Sequence, residues 1–95
     1  MRVHLDFKGV PILYKTLTKR KEIDVDWAHA SCTVRELVDL LIRRFGDPVK
    51  KALLDSKGEI DFEIRVVLNQ GIHLVENRMD TVLHDGDRLA FLGAS

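Results

Sequence analysis

One segment of the sequence has the pattern of a long amphipathic helix, and it limits the fold more than any other feature. Thr33 and Glu36 have the spacing of a capping box, in which each side chain satisfies a free backbone N–H. Gly46 predicts the end of the helix, and Asp47-Pro48 predicts a cap and first position of a second, short helix. Apolar residues recur between these signals at three- and four-residue spacing: Val34, Leu37, Val38, Leu41, Ile42 and Phe45. Because only one long helix is available, its apolar face is expected to cover one side of a sheet.

Alternating apolar and polar residues predict strands at 1–8, 22–27, 60–68, 72–75 and 88–92. The run at 60–68 is the longest and predicts a central strand, whereas 72–75 predicts a short edge strand. Residues 12–20 fit either a helical turn or a loose connection, so the first two strands are expected to form a hairpin with a broad connection. The order of elements predicts an α+β fold with a mixed sheet of four or five strands and one long helix packed on one face.

The size and charge of the chain exclude several classes of function. The chain has 95 residues, with 15 basic and 15 acidic side chains, so one domain over 1–95 is expected. Zero net charge argues against nucleic-acid binding and against a polybasic membrane contact. No apolar run reaches the roughly 18 residues of a membrane span. The one cysteine, Cys32, cannot form an internal disulfide, which makes the cytoplasm the expected location.

A few residues invite a chemical interpretation, but none predicts an enzyme, a metal site or a cofactor. His29 and Cys32 have the spacing of half a metal site, whereas zinc needs about four ligands. Cys32 precedes a helix, whose N-terminus could lower the thiol pKa, yet the sequence shows neither a base nor a pocket beside it. Asp85 and Asp87 surround Gly86, and aspartates that bond to their own backbone in a tight turn account for them better than catalysis does.

Three motifs together resemble one family. Thr33–Leu41 resembles the helix start of the MoaD/ThiS sulfur-carrier proteins, 67–70 (Val-Leu-Asn-Gln) resembles their Val-Asn-Gln or Val-Asn-Gly segment, and 83–91 resembles their Leu-x-Asp-Gly-Asp-x-Val-Ala-Phe run. Each motif alone is weak, but their order and spacing cover nearly the whole chain. The sequence is therefore similar to this family, with the MoaD branch closer, and the resemblance implies a ubiquitin-like β-grasp fold.

The resemblance also implies a function for the C-terminal tail. In the family, a tail ending in Gly-Gly is adenylated by an E1-like enzyme and converted to a thiocarboxylate. This sequence departs from the pattern, because 93–95 are Gly93, Ala94 and Ser95. Three explanations stay open: a shortened form of a carrier, a precursor or trimmed product, or a paralogue that keeps the partner surface without the sulfur chemistry.

A partner-binding patch follows from the same resemblance. In MoaD-like proteins an apolar patch on the sheet docks the E1-like adenylyltransferase and the large subunit of molybdopterin synthase. The matching positions are Phe7, Ile72 and Leu92. For each of them burial is the alternative, and Phe7 fits somewhat better into a core with Val3 and Leu5. The resemblance implies a sulfur carrier linked to molybdopterin or tungstopterin biosynthesis. A β-grasp interaction or regulatory module that carries no sulfur is the alternative, and either would be a monomer or a weak homodimer.

Overall fold

The computed structural model describes residues 1–93, and for residues 16–18 it describes the backbone only. Seven strands, two α-helices, one π-helical turn and one 3₁₀ turn follow each other along these residues. In chain order they are β1 (Arg2–Gly9), the π-helical turn (Leu13–Thr18), β2 (Glu22–Asp26), β3 (Ser31–Thr33), α1 (Val34–Phe45), α2 (Asp47–Leu53), β4 (Arg65–Leu68), β5 (Ile72–Leu74), the 3₁₀ turn (Arg78–Asp80), β6 (Val82–His84) and β7 (Arg88–Leu92).

The main sheet has five strands in the order β2-β1-β7-β4-β5. Strand β7 lies at the centre, parallel to β1 and antiparallel to β4. The two outer pairs, β1–β2 and β4–β5, are antiparallel hairpins. The predicted α+β fold, with a mixed sheet and one long helix against it, is therefore confirmed, and so is the edge position of β5.

Helix α1 forms as its sequence signals predict. The Thr33 hydroxyl accepts a hydrogen bond from the Glu36 backbone N–H at 3.2 Å, and the Glu36 carboxylate accepts one from the Thr33 N–H at 3.0 Å. At the other end, the N–H of Gly46 donates to the Ile42 carbonyl at 2.7 Å. Gly46 adopts φ of +88°, a conformation that glycine reaches without steric penalty. Asp47 is the first residue of α2 and makes no side-chain cap, contrary to the expected capping role.

The predicted strand at 60–68 is wrong over its first half, since only Arg65–Leu68 is extended in the sheet. The Asp61 carboxylate accepts a hydrogen bond from the Glu63 N–H at 2.9 Å, and the Asp61 carbonyl accepts one from the Ile64 N–H, which folds this segment into a turn. The Arg78 guanidinium donates to the carbonyls of Ile60, Asp61 and Ile64 and holds the turn in place. The strand at the sheet centre is β7, not β4.

A second, small sheet was not predicted from the sequence. Strands β3 and β6 pair antiparallel, with Cys32 opposite Leu83. Both residues are buried, at 3% and 0% exposure, and join the core under α1. This sheet closes one end of the core, where the chain enters α1.

Candidate partner-binding surface

The strand register decides which side chains face the helix and which face away. Leu5 pairs with Leu89, and Leu89 pairs with Leu68, so these three side chains lie in one row on the helix side of the sheet. Phe7 continues β1 on the same side and is 1% exposed. Its ring stacks on the ring of Phe91, with centroids 6.0 Å apart. Of the two interpretations of Phe7, the structure shows the core, so Phe7 is not part of an exposed patch.

The other two predicted patch residues lie on opposite sides of the sheet. Ile72 pairs with Leu68 and therefore lies on the helix side, at the edge, with 55% of its surface exposed. Leu92 follows the buried Phe91 and pairs with Arg65, which places it on the outer face with 37% exposure. The structure therefore does not bring the three predicted residues together.

The outer face of β1 and β2 is charged. The two ring nitrogens of His4 lie 2.8 Å from carboxylate oxygens of Glu22 and Asp24. These hydrogen bonds raise the pKa of His4 above its ordinary value, and the bond to Glu22 has the largest effect. The same hydrogen bond lowers the pKa of Glu22. Arg2 forms a further ion pair with Asp26 at 2.9 Å.

An apolar strip crosses the outer face beside these charges. Val67 pairs with Ala90 across β4 and β7, and Leu92 lies two residues further along β7. Val67 is 7% exposed but lies outside the core cluster. It lines a shallow depression of about 100 Å³ together with Ala90 and Arg88. Val67 and Ala90 were missed as site residues, although they are apolar at positions where the strand alternation calls for polar ones.

The chain leaves the sheet at a fixed point. The Gly93 N–H donates to the Gly9 carbonyl at 2.6 Å. A Cβ added to Gly93 would lie 2.8 Å from that oxygen, and one added to Gly9 would lie 2.6 Å from the Cα of Leu92. Gly93 is thus required by backbone packing as well as by any role in a tail. The remaining predicted tail residues, Ala94 and Ser95, lie outside the described residues.

The other residues singled out by the sequence have structural roles. Cys32 is buried, and burial, followed by the charge of Glu36, raises its pKa, which agrees with the interpretation of Cys32 as an unreactive thiol. Asp87 accepts a hydrogen bond from the His84 N–H within the turn, as expected, whereas Asp85 accepts one from the Arg2 N–H of β1. Within residues 1–93, no three histidine, cysteine or acidic side chains lie close enough to hold a metal ion. Among the same residues, no helix is both long and apolar enough to cross a bilayer.

Comparison with known proteins gives a fold and a set of structural neighbours. No protein-family model and no curated protein matches the sequence. The solution structure of Urm1 from Trypanosoma brucei matches with a TM-score of 0.77 at 25% identity, over 99% of this chain and 92% of that one. A chain of the Amycolatopsis orientalis BexX/CysO complex matches with a TM-score of 0.72 at 24% identity, over 98% and 96%.

A third neighbour has a name that matches the MoaD branch, which the sequence motifs resemble. It is a Pyrococcus furiosus protein assigned as molybdopterin converting factor subunit 1, and it matches with a TM-score of 0.69 at 15% identity, over 100% of this chain and 99% of that one. This chain is a ubiquitin-like β-grasp protein. The resemblance to the MoaD/ThiS sulfur carriers is confirmed, because the structural neighbours of this β-grasp protein are ubiquitin-like proteins of that kind.

Proposed function

We propose that this β-grasp protein is a sulfur-carrier-type protein that acts through a partner and has no catalytic centre of its own. The partner is an E1-like adenylyltransferase or the large subunit of molybdopterin synthase, and the pathway is molybdopterin or tungstopterin biosynthesis in the cytoplasm. In this proposal the partner docks on the outer face, on the strip formed by Val67, Ala90 and Leu92. The segment that begins at Gly93 then extends into the partner.

The observation that carries the proposal is the position of Gly93 relative to this strip. Gly93 is hydrogen bonded to Gly9, and the preceding residue, Leu92, is the most exposed member of the strip. A partner that covers Leu92 therefore receives the chain from a fixed point directly beside its contact surface. A neighbouring fold was itself solved as a complex, BexX/CysO, which supports a function through partner binding.

The strip is narrow, so the docking energy has to come from several sources. Full burial of an exposed leucine contributes about 1.5–3 kcal/mol. Leu92 is 37% exposed and can therefore contribute at most about 1 kcal/mol, and Val67 and Ala90 add little because Val67 is already buried and Ala90 is half-buried. The ionic groups around the strip can select a partner of complementary charge and speed its association. The threaded segment would supply the remaining contact area.

A second function, of another class, would use the same outer face with a different tail. The family pattern calls for Gly-Gly, whereas this sequence has Gly-Ala-Ser at 93–95. A β-grasp module could use the same outer face to bind or regulate a partner enzyme without carrying sulfur. Both functions require the strip, and they differ only in the chemistry of the tail.

Mass spectrometry of the endogenous protein separates the two functions. A C-terminal peptide that ends in Gly-Gly or in a thiocarboxylate supports the carrier. An unmodified end at Ser95 supports the interaction module and contradicts sulfur transfer.

Binding to the E1-like adenylyltransferase of the same cells tests the docking surface in either case. Leu92→Glu places a charge on the strip and is expected to weaken binding about tenfold or more, which corresponds to about 1.4 kcal/mol. Ile72→Glu is the matched control, because it adds the same charge at a more exposed site on the other side of the sheet. Equal losses in the two variants, with both still folded, would contradict docking on the strip.

A further inference from the structure

A groove with a strongly exposed aromatic side chain lies where β4 begins and β5 ends. Its volume is about 330 Å³, and Phe62, Ile64, Val66, Leu74 and Val75 supply its apolar lining. Phe62 is 87% exposed and Val75 is 80% exposed, which makes them the two most exposed large apolar residues in the described part of the chain. Exposed apolar side chains that share one groove mark a contact site more strongly than scattered ones.

The ionisable residues that line this groove are all basic. They are Arg65, His73 and Arg78, and no acidic side chain lines it within residues 1–93. Arg78 is held by three backbone carbonyls, so its charge is fixed at the groove wall. Arg65 and His73 have no ion-pair partner in the described part of the chain. The groove therefore offers an apolar floor and unneutralised positive charge to whatever occupies it.

The two edge strands of the main sheet differ in charge, and the difference favours an acidic segment at β5 over β2. Edge strand β2 carries Glu22, Asp24 and Asp26, which would repel a second acidic chain. Edge strand β5 carries no acidic residue, and within residues 1–93 it pairs only with β4, which leaves its other side open. Exposed sheet edges are commonly protected by charged side chains, since they accept additional strands. Protection of this kind is present on β2 and absent from β5.

We propose that the groove at β5 binds an extended acidic segment of a partner protein, in which an apolar side chain is flanked by carboxylates. The apolar side chain packs between Phe62 and Val75, and the carboxylates pair with Arg65 and His73. The backbone of the segment adds to the open edge of β5, as in other cases of strand addition. The groove adjoins the Leu92 strip, because Arg65 pairs with Leu92 and His73 pairs with Val67, but binding in it does not require a modified tail.

A synthetic peptide that alternates valine with aspartate is the probe, and a valine–lysine peptide of equal length is its control. Both are titrated into the full-length protein, labelled with ¹⁵N, at low salt. The proposal predicts chemical-shift changes at Phe62 and at 72–75 with the acidic peptide, weaker binding at high salt, and no such changes with the basic peptide. Equal responses to the two peptides, or changes centred on β2, would overturn it.

Two groove variants, Arg65→Glu and Phe62→Ala, locate the binding energy, and Arg44→Glu is their control; none of the three removes a core side chain. Arg65→Glu reverses a groove charge and is expected to raise the Kd of the acidic peptide about tenfold. Arg44→Glu changes the net charge equally on the exposed end of α1, outside the groove lining, and is expected to leave the Kd within about twofold. Phe62→Ala should weaken binding without lowering the unfolding midpoint.

If Arg44→Glu weakens binding as much as Arg65→Glu, the attraction between the acidic peptide and the protein is non-specific, and the groove is not its binding site. If the shifts of the free protein at 62 and 72–75 depend on its own concentration, a second copy is the occupant, and the proposal is wrong.

Discussion

Replacement of Gly9 by alanine tests the packing at the point where the chain leaves the sheet. The new Cβ would lie 2.6 Å from the Cα of Leu92 and 2.9 Å from the carbonyl oxygen of Phe91. Both are backbone atoms of the central strand, so no side-chain rotation relieves the contact. Strands β1 and β7 must separate at this end, and the hydrogen bond from Gly93 to the Gly9 carbonyl must lengthen or break.

The size of the effect follows from the kind of overlap. Insertion of a methyl group into packed surroundings typically destabilises a protein by about 1–3 kcal/mol, and Gly9→Ala should fall in this range. With a urea dependence of about 1 kcal/mol per M for a chain of this size, the unfolding midpoint should fall by about 1–3 M. Hydrogen exchange supplies a local readout, because the Gly93 amide should lose its protection.

Gly71→Ala is the matched control for this substitution. A Cβ at Gly71 meets no atom within 4 Å, and Gly71 is not among the glycines with positive φ. Its replacement should leave stability unchanged or raise it by about 0.4–1 kcal/mol, because the unfolded chain loses freedom. If Gly9→Ala and Gly71→Ala unfold at the same midpoint, the close approach of β1 and β7 at Gly9 is not real, and the fixed exit of the chain is refuted.

Two further substitutions test the polar contacts. Arg78→Ala leaves the three carbonyls of the 60–64 turn without their charged donor and should lower the free energy of unfolding in urea by about 2–4 kcal/mol. Its control, Arg65→Ala, removes an exposed arginine with no ion-pair partner among the described residues and should change that free energy by less than about 0.5 kcal/mol. Equal effects of the two substitutions would contradict the role of Arg78. His4→Gln tests the raised pKa of His4. The stabilisation from the hydrogen bonds of His4 is complete below the ordinary histidine pKa of about 6.5 and is lost as the pH rises through the higher pKa of the folded state. Urea unfolding measured across this pH window should therefore show a loss of stability in the wild type that is absent from the variant.

The parts of the fold that depend on local signals could be predicted from the sequence. All the signals that define α1 lie within one segment: the capping box at Thr33, the apolar stripe and the helix end at Gly46. Each of them depends on contacts between residues that are close in sequence. The turn at 60–64 could not be predicted in this way. Its alternation is that of a strand, and although Asp61 closes the turn locally, the residue that holds the turn in place, Arg78, is distant in sequence. Long-range hydrogen bonds of this kind leave no periodic pattern.

The candidate site was harder to predict than the fold because it depends on register. A shift of one residue moves a side chain to the other face of a sheet, and only the pairing of β4, β5 and β7 shows that Ile72 and Leu92 face opposite ways. The burial of Phe7 follows from the same pairing. Val67 gave a signal that could have been used, since it is an apolar residue at a polar position of its strand.

The central position of β7 also links the synthesis of the chain to its ability to bind. A ribosome makes β1 first and β7 last, yet β1 and β4 are joined in the sheet only through β7. The sheet cannot close, and the strip that includes Ala90 and Leu92 cannot exist, until residues 88–92 have emerged. A nascent chain, or one that terminates before residue 88, therefore offers its partner no complete docking face.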